Sequence, residues 1–518
     1  MSEVNEQGFV VNEFNSYSSN ILRSTFAPFS LDMFSCWTND QLKDMIRDPM
    51  TNNKELRRLS EIVYNSNGIV TNTIDYMCAL PTLDRIVVPH GDTSSADKRR
   101  KKIEKILDVI RDDELARDVL LNSFVDGVAF YYLETTKRPQ MKKRMTDWEA
   151  ENISEINAGV NASFISLSPD YTRIVGIKNS SYVIAFNLEY FDEGGNETTE
   201  NKLRKYPKEI RDAYYNYSKK NGGGNWVVLD NRRTIAIKFR AKRREPWGRP
   251  LVLAALEDIF FSDYFTETKR GVLDEVNNRI FYETFPEGER KGMSALTEKQ
   301  QRQQHDAVKS GITQKNNRGG VSFFSVAAGT KIDSLDTDID LLDEKNEKNL
   351  RSNVSTSMGF AGSLLSGSGD SSYSAQESNL RLVTSEIFSV VNLFANELNK
   401  VLNEQFMNGE NTVKVVYLPI TYANRSDFVG FAKDMYMNGR GSLLMWASAA
   451  GICPDAFMSI MDYETAMDLE NRYPVHKTSF TQSASDDKGG RPTVDNPTNP
   501  KTVATKTNNT NSQPKPGA

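Results

Sequence analysis

Apolar residues recur at helical spacing through much of this chain, and the longest unbroken pattern falls between residues 340 and 406. Leu380, Val383, Ile387, Val391, Phe394, Leu398, Val401 and Phe406 lie three to five positions apart with no intervening Pro or Gly. That period predicts one helix of about eight turns from Ala375 to Phe406, roughly 45 Å long at ~1.5 Å per residue. A polar arm, Asp340–Met358, precedes it, with Ile339, Leu342, Leu350 and Val354 marking its apolar side. Between the two lies Gly359–Asp370, a Gly/Ser-rich stretch whose glycines permit wide backbone excursions. The pattern makes the long helix a spine that holds a mobile element in place.

Upstream, residues 1–28 are polar and irregular. Helical spacing begins at Leu42, Met45 and Ile46 and stops at Pro49; a stronger helix follows through Leu56, Leu59, Ile62, Val63, Ile69, Ile74 and Met77. Asp84–Pro89 reads as a short strand. The run Lys98-Arg-Arg-Lys-Lys102 opens an amphipathic helix through Ile103, Ile106, Leu107, Ile110 and Leu115, broken at Asp126-Gly127. Those cations suit either a solvated helix face or a phosphate-facing patch. Strand pattern follows at 128–134, 164–167, 174–177 and 182–187, then a polar helix at 200–219 and strands at 226–229 and 234–239. The basic run Arg240–Arg249 leads to Pro250, which suits the first turn of a helix expected to reach Tyr282. After a turn at Phe285–Gly288, Thr297-Glu-Lys-Gln300 matches a capping box that opens a second, polar helix to about Asn316. Strands are expected at 321–326 and 413–420, and a compact helical piece at 427–470. From Lys477 the composition offers little to bury and predicts disorder.

Composition sets bounds on function. The 518 residues, 38% of them hydrophobic, suffice for three or four cores. No run approaches the ~20 apolar residues of a membrane span, and the N-terminus lacks a basic and an apolar signal region, so a soluble chain with no membrane partner is expected. Cys36, Cys78 and Cys453 are far apart and are expected to be reduced and packed. Net charge is −5, so any contact with nucleic acid should be local and transient.

Catalytic chemistry finds no foothold. His90, His305 and His476 are isolated from one another and from any nucleophile. Gly288–Gly292 lacks the spacing and trailing Lys-Ser/Thr of a nucleotide loop, and Gly367-Ser-Gly369 lacks the third glycine of a dinucleotide turn. Gly222–Gly224 leads into no helix and reads as a turn. Asp336, Asp338 and Asp340, with Glu347 at the twelfth place, mimic a calcium loop, but Leu341 stands where that loop needs glycine. The same carboxylates suit a helix N-terminus. No cofactor is implied.

Taken in order, the pieces resemble a known family. Asn65–Ile69 with Asp75-Tyr76 and Leu80–Leu83, then Leu167–Tyr171 followed by Ile184–Phe191, then the helices after Pro250 and Thr297, then Gly359–Tyr373 and Ala375–Phe406, are similar to successive parts of the portal protein of tailed double-stranded DNA bacteriophages, in the HK97-like and SPP1-like branch. The resemblance covers residues 30–472 and rests on order, each motif being weak alone. It implies an α+β fold: an N-terminal arm at 1–28, a wing at 29–246, stem helices at 247–282 and 297–317 with a clip at 283–296 between them, a wing strand and helix at 318–358, a tunnel loop at 359–374, the spine and a wing strand at 375–426, a helical crown at 427–472 and a tail to residue 518.

It also implies a function. The family forms a dodecameric ring at one capsid vertex, through which the terminase large subunit pumps DNA and from which it is later ejected; a head-completion adaptor docks below, and major capsid and scaffolding proteins surround it. On this resemblance Ser366, Gly367, Ser368, Gly369 and Asp370 line the DNA channel, and Lys269, Arg270 and Arg279 face the bore, unless they pair between subunits with Glu267, Asp274 or Glu275. Glu287, Gly288, Glu289, Arg290 and Lys291 would dock terminase and adaptor. The implied location is the virion, after assembly in the host cytoplasm. Rival readings are another ring or shell subunit of a virion, or a DNA-processing enzyme.

Overall fold

The computed structural model describes residues 39–135, 162–193, 199–219, 224–277, 281–290, 294–313, 326–334, 344–361, 373–407 and 409–473. The expected N-terminal arm, residues 321–325 of the strand expected at 321–326 and the tail from Lys477 lie outside them. The described residues divide into two compact units, one to Gly451 and one from Ile452.

The first unit opens with α1 (Asn39–Arg47), α2 (Asn53–Ser66) and α3 (Gly68–Ala79). Apolar spacing runs on across the junction of the last two, but Asn67 separates them: its Oδ1 accepts from the Ile69 and Val70 amides and caps α3. Strand β1 (Arg85–Pro89) leads to α4 (Ala96–Ile110) and α5 (Asp112–Val125). A single helix was the expectation there; Arg111 at φ 50° turns the chain into the left-handed region and splits it.

Four antiparallel ladders follow. Strand β2 (Val128–Glu134) sits between β3 (Ser163–Ser166) and β7 (Thr234–Lys238). Strand β5 (Ser181–Asn187) sits between β4 (Thr172–Lys178) and β6 (Trp226–Val228), and the polar segment between β5 and β6 holds α6 (Thr199–Lys205) and α7 (Lys208–Ser218), parted at Pro207. Every residue of β2 is buried, and its alternation divides two cores. Ala129, Tyr131 and Leu133 face the larger one, built on α1 to α5. Val128, Phe130 and Tyr132 face the smaller one, with Phe186, Phe191 and Ile210.

A 3₁₀ turn at Leu251–Ala255 feeds α8 (Leu256–Asn277). Helical spacing predicted continuation to Tyr282; instead Phe281–Thr284 is strand β8, which pairs antiparallel with β9 (Lys331–Ser334), Phe281 opposite Ser334. Partner strands 47 or more residues apart leave no local signature. Helix α9 (Glu298–Thr313) lies between them in sequence, and α10 (Glu344–Ser357) precedes the spine.

The spine is α11 (Tyr373–Phe406), 34 residues long. From Val383 onward one face is core: Ile387, Val391, Leu398 and Val401 are at most 1% exposed. Strand β10 (Val413–Tyr417) pairs on one edge with β1, Arg85 opposite Tyr417. Its other edge is satisfied by the spine itself. Asn399 Oδ1 accepts from the Val415 amide at 2.7 Å and its Nδ2 donates to the Val415 carbonyl at 2.8 Å; Asn403 does the same at Val413, at 2.8 Å each way. Two asparagines one turn apart thus stand in for a neighbouring strand.

Helices α12 (Arg425–Met437) and α13 (Leu443–Ala449) complete the first unit; the second contains α14 (Pro454–Ala466) and α15 (Leu469–Arg472). The fold class is α+β. Of the cysteines expected to be packed, Cys78 is half-buried, whereas Cys453 is exposed just before α14.

Candidate functional site

The elements expected to meet DNA or partners are α8, the β8–β9 ribbon, α9, and the join between α10 and α11. Helix α8 packs on α10. Lys269 Nζ meets Glu347 Oε2 at 2.8 Å, and Ser357 donates to Asp258. Glu347 also takes Arg351 at 2.5 Å; the Lys269 hydrogen bond, reinforced by Arg351, holds its carboxyl below the ordinary range. Lys269 is therefore paired inside its own chain, while Arg270 on the same helix is exposed. Arg279 lies outside the described residues.

Among the side chains that join the ribbon to α9 is one that the sequence did not single out. Gln304 Nε2 donates to Glu283 Oε1 at 2.6 Å and to Thr330 Oγ1 at 3.0 Å, and its Oε1 accepts from the Ala327 amide at 3.0 Å. A glutamine amid Gln, Lys and Arg on a polar helix gives no sign of such a role. The capping box at Thr297 forms in part: Gln300 Oε1 accepts from the Thr297 amide at 3.0 Å. Beyond β8, Glu287 bridges to Ser294; Glu289 and Arg290 are exposed and Gly288 is half-buried. Lys291 lies outside the described residues.

Ser366, Gly367, Ser368, Gly369 and Asp370 also lie outside, but both ends of their segment are described. Gly359, at φ 90°, ends α10, and the Phe360 amide turns back to the Ser355 carbonyl at 2.9 Å. Phe360 is buried. Asn379, on the first turns of α11, then clasps the exit: its Oδ1 accepts from the Ala361 amide at 3.0 Å and its Nδ2 donates to the Gly359 carbonyl at 3.2 Å. Asn379 thus fastens the exit of α10 to the second turn of α11. Leu382 on α11 and Tyr264 on α8 are 71% and 67% exposed.

Four of the five cations in the run on α4 are engaged by the chain's own groups, and Lys98 is exposed. Arg99, 9% exposed, donates to the carbonyls of His90 at 3.1 Å and Asp92 at 2.7 Å and to the Ser95 hydroxyl. Arg100 and Lys101 pair with Asp97, and Lys102 donates to the Phe406 carbonyl at the end of the spine. Neither reading left open, a solvated face or a phosphate-facing patch, describes the whole run: Lys98, Lys101 and Lys102 are exposed, whereas Arg99 is buried among carbonyls. Below it Arg85 joins Glu104, Asp108 and Asp112. Burial, partly offset by Arg85, pushes the Asp112 carboxyl up, and Tyr417 donates to it at 2.6 Å.

Asp336, Asp338 and Asp340 lie outside the described residues, and Glu347, the twelfth position of that loop, is engaged by Lys269 and Arg351. Among the described residues no group of three or more His, Cys, Asp or Glu is disposed to hold a metal ion, and no single helix is long and apolar enough to cross a membrane.

No family model matches this chain. It is similar to the SPbeta prophage-derived uncharacterized protein YonE of Bacillus subtilis (strain 168), at 23% identity over 539 residues, covering 99% of this chain and 98% of that protein. Among solved structures it overlaps the neck of an empty gene transfer agent (GTA) particle computed with C6 symmetry, with a TM-score of 0.45 and 12% identity over 75% of this chain and 93% of the other. The neck of the native particle computed with C12 symmetry gives 0.43 and 11% over 81% and 95%, and the virion of the native particle gives 0.45 and 10% over 78% and 94%.

Proposed function

We propose that this chain is a structural protein of a phage virion, and specifically a portal: copies form a ring at one capsid vertex through which double-stranded DNA is packaged and ejected. The observation that carries the reading is the Asn379 clasp between the exit of α10 and the second turn of a 34-residue helix. It follows α8 and the ribbon module in the order by which the sequence resembles the portal family. The prophage relative that matches along its whole length supports a phage gene product. Large apolar side chains left outward on α8 and α11, Tyr264 and Leu382, suit lateral packing between copies.

The chemistry of passage follows from charge. Duplex DNA carries one negative charge per ~1.7 Å of axis, so a uniformly basic bore would hold it fast. Ser366–Asp370 has no Lys or Arg, and its glycines let it follow the duplex surface. It acts by steric fit, and Arg270 adds local attraction. With no nucleotide motif in the chain, a separate terminase ATPase drives movement. The stretch Glu287–Lys291 is the docking point for terminase and then the adaptor.

Negative-stain electron microscopy of the purified protein tests this. Top views should show isolated rings with an axial hole. Closed shells, tubes, or a monomer that persists when capsid proteins are added would overturn it.

A further inference from the structure

The twelve residues Lys238–Arg249 carry six cations and one carboxylate, in a chain whose net charge is −5. The fold spends four of those seven groups on holding the loop in place. Lys238, at the end of β7, is 6% exposed, and its Nζ donates to the carbonyls of Lys242 at 3.1 Å, Arg243 at 3.2 Å and Glu245 at 2.5 Å. The loop curls around that buried ammonium. Glu245 turns inward, accepting from the Lys242 amide at 2.8 Å and from both Arg249 Nη atoms at 2.7 and 2.8 Å. Gly248 lies so close to the Gly127 carbonyl that no side chain fits. Arg240 is held at φ 47°, with its guanidinium 2.7 Å from Glu386 on the spine.

These bonds leave Lys242, Arg243 and Arg244 exposed side by side. Among the described residues none of the three has an ion-pair partner; Arg243 reaches only the Ser180 hydroxyl, at 3.1 Å, in the β4–β5 turn beside exposed Lys178. Adjacent like charges repel, and a mobile loop would spread them apart. Here a rigid frame holds them together.

We propose that this loop, residues 240–247, is a binding site for the phosphate backbone of duplex nucleic acid. Guanidinium groups present a planar fork of donors that matches phosphate oxygens, and their charge is weakly hydrated. A protein partner would call for an apolar or aromatic anchor at the centre of the patch. The loop offers none: Trp247 is half-buried with Arg57 stacked 5.3 Å from its ring centroid. Such a surface reads no base edges, so binding is independent of sequence and dependent on salt. The inference stands on the loop alone and does not depend on ring formation.

The test is fluorescence anisotropy of the full chain with a labelled duplex of arbitrary sequence, at salt from about 50 to 200 mM. Combined Lys242→Ala, Arg243→Ala and Arg244→Ala should weaken binding at low salt at least about tenfold and reduce the slope of log affinity against log salt by about 3. Combined Lys98→Ala, Lys101→Ala and Lys105→Ala, equal in charge removed, should leave both values unchanged. Arg244→Glu alone, at an exposed position, repeats the test without disturbing the frame. Failure of the wild-type chain to bind at low salt, or loop variants that match it, overturns the proposal. So does poly-glutamate that competes as well as the duplex and loses its hold on the same variants, which would assign the loop to an acidic protein segment.

Discussion

The run Lys98–Lys102 lies on a helix and the run Arg240–Arg249 on a loop, and local geometry sends their charges in different directions. On α4, neighbouring residues are turned about 100° apart, so a basic run is spread around the helix and its cations face different surroundings. Arg99 points inward to carbonyls, Arg100 and Lys101 meet Asp97 one turn back, and Lys102 reaches the end of the spine. In the loop, the frame made by Lys238, Glu245 and Arg249 closes inward, and Lys242, Arg243 and Arg244 can only point out. A dense run of cations in a sequence is therefore no measure of surface charge. What counts is whether the backbone beneath it offers acceptors.

The contrast can be broken most sharply at Arg99. Replacing it with Ala strips donors from the His90 and Asp92 carbonyls, and the urea unfolding midpoint should fall by the equivalent of about 2–3 kcal/mol. A loss within ~0.5 kcal/mol, typical of a surface site, would mean the α4 run is not structural after all. Lys238→Met comes next. It removes the ammonium that three carbonyls share, yet relieves the burial that pulls the Lys238 pKa down, so the net cost should be about 1–2 kcal/mol. The clearer readout is limited trypsin digestion: cleavage after Arg243 and Arg244 should quicken severalfold, and an unchanged rate would show that the loop holds its shape without Lys238.

The smallest effect is a pH dependence at Glu245. Hydrogen bonds from Arg249, then from the Lys242 amide, hold its carboxyl down at about 2, against an ordinary 4.5. Because the folded value lies below the unfolded one, the stabilisation is complete above pH 4.5 and fades as pH falls toward 2. Glu245→Gln should lower the melting temperature at neutral pH and flatten its decline through that acid window. Parallel curves for the two proteins would show that Glu245 does not brace the loop.

Much of the architecture was legible because it rests on local periodicity. The spine was expected from Ala375 and begins at Tyr373, ending at Phe406 as its apolar spacing implied. Strands β2, β5 and β7 announce themselves as short apolar and aromatic runs between turn signals. The breaks were harder. Arg111 and Asn67 interrupt apolar patterns that continue across them, since a single residue's dihedral angle leaves no trace in a hydrophobic period. Ribbon β8–β9 was missed for a different reason: four-residue strands separated by a helix have no pattern long enough to read.

The candidate site divides along the same line. The sequence marked a Gly/Ser segment between two helices, but not the Asn379 clasp that joins those helices, nor Gln304 at the ribbon, because a polar residue's partner is set by what packs opposite. Lys269 was marked as a cation of interest, but the sequence did not pair it with Glu347, 78 residues away.

By itself, then, the sequence determined the helices and most of the strands, because the 3.6- and 2-residue periods of burial are written into the order of apolar side chains. It also fixed the total charge and the lack of a nucleotide loop. Only tertiary structure decided which polar groups are spent on holding the fold and which face outward. A charge or amide is satisfied by whatever the folded chain brings within about 3 Å, and that neighbour is usually far away in sequence.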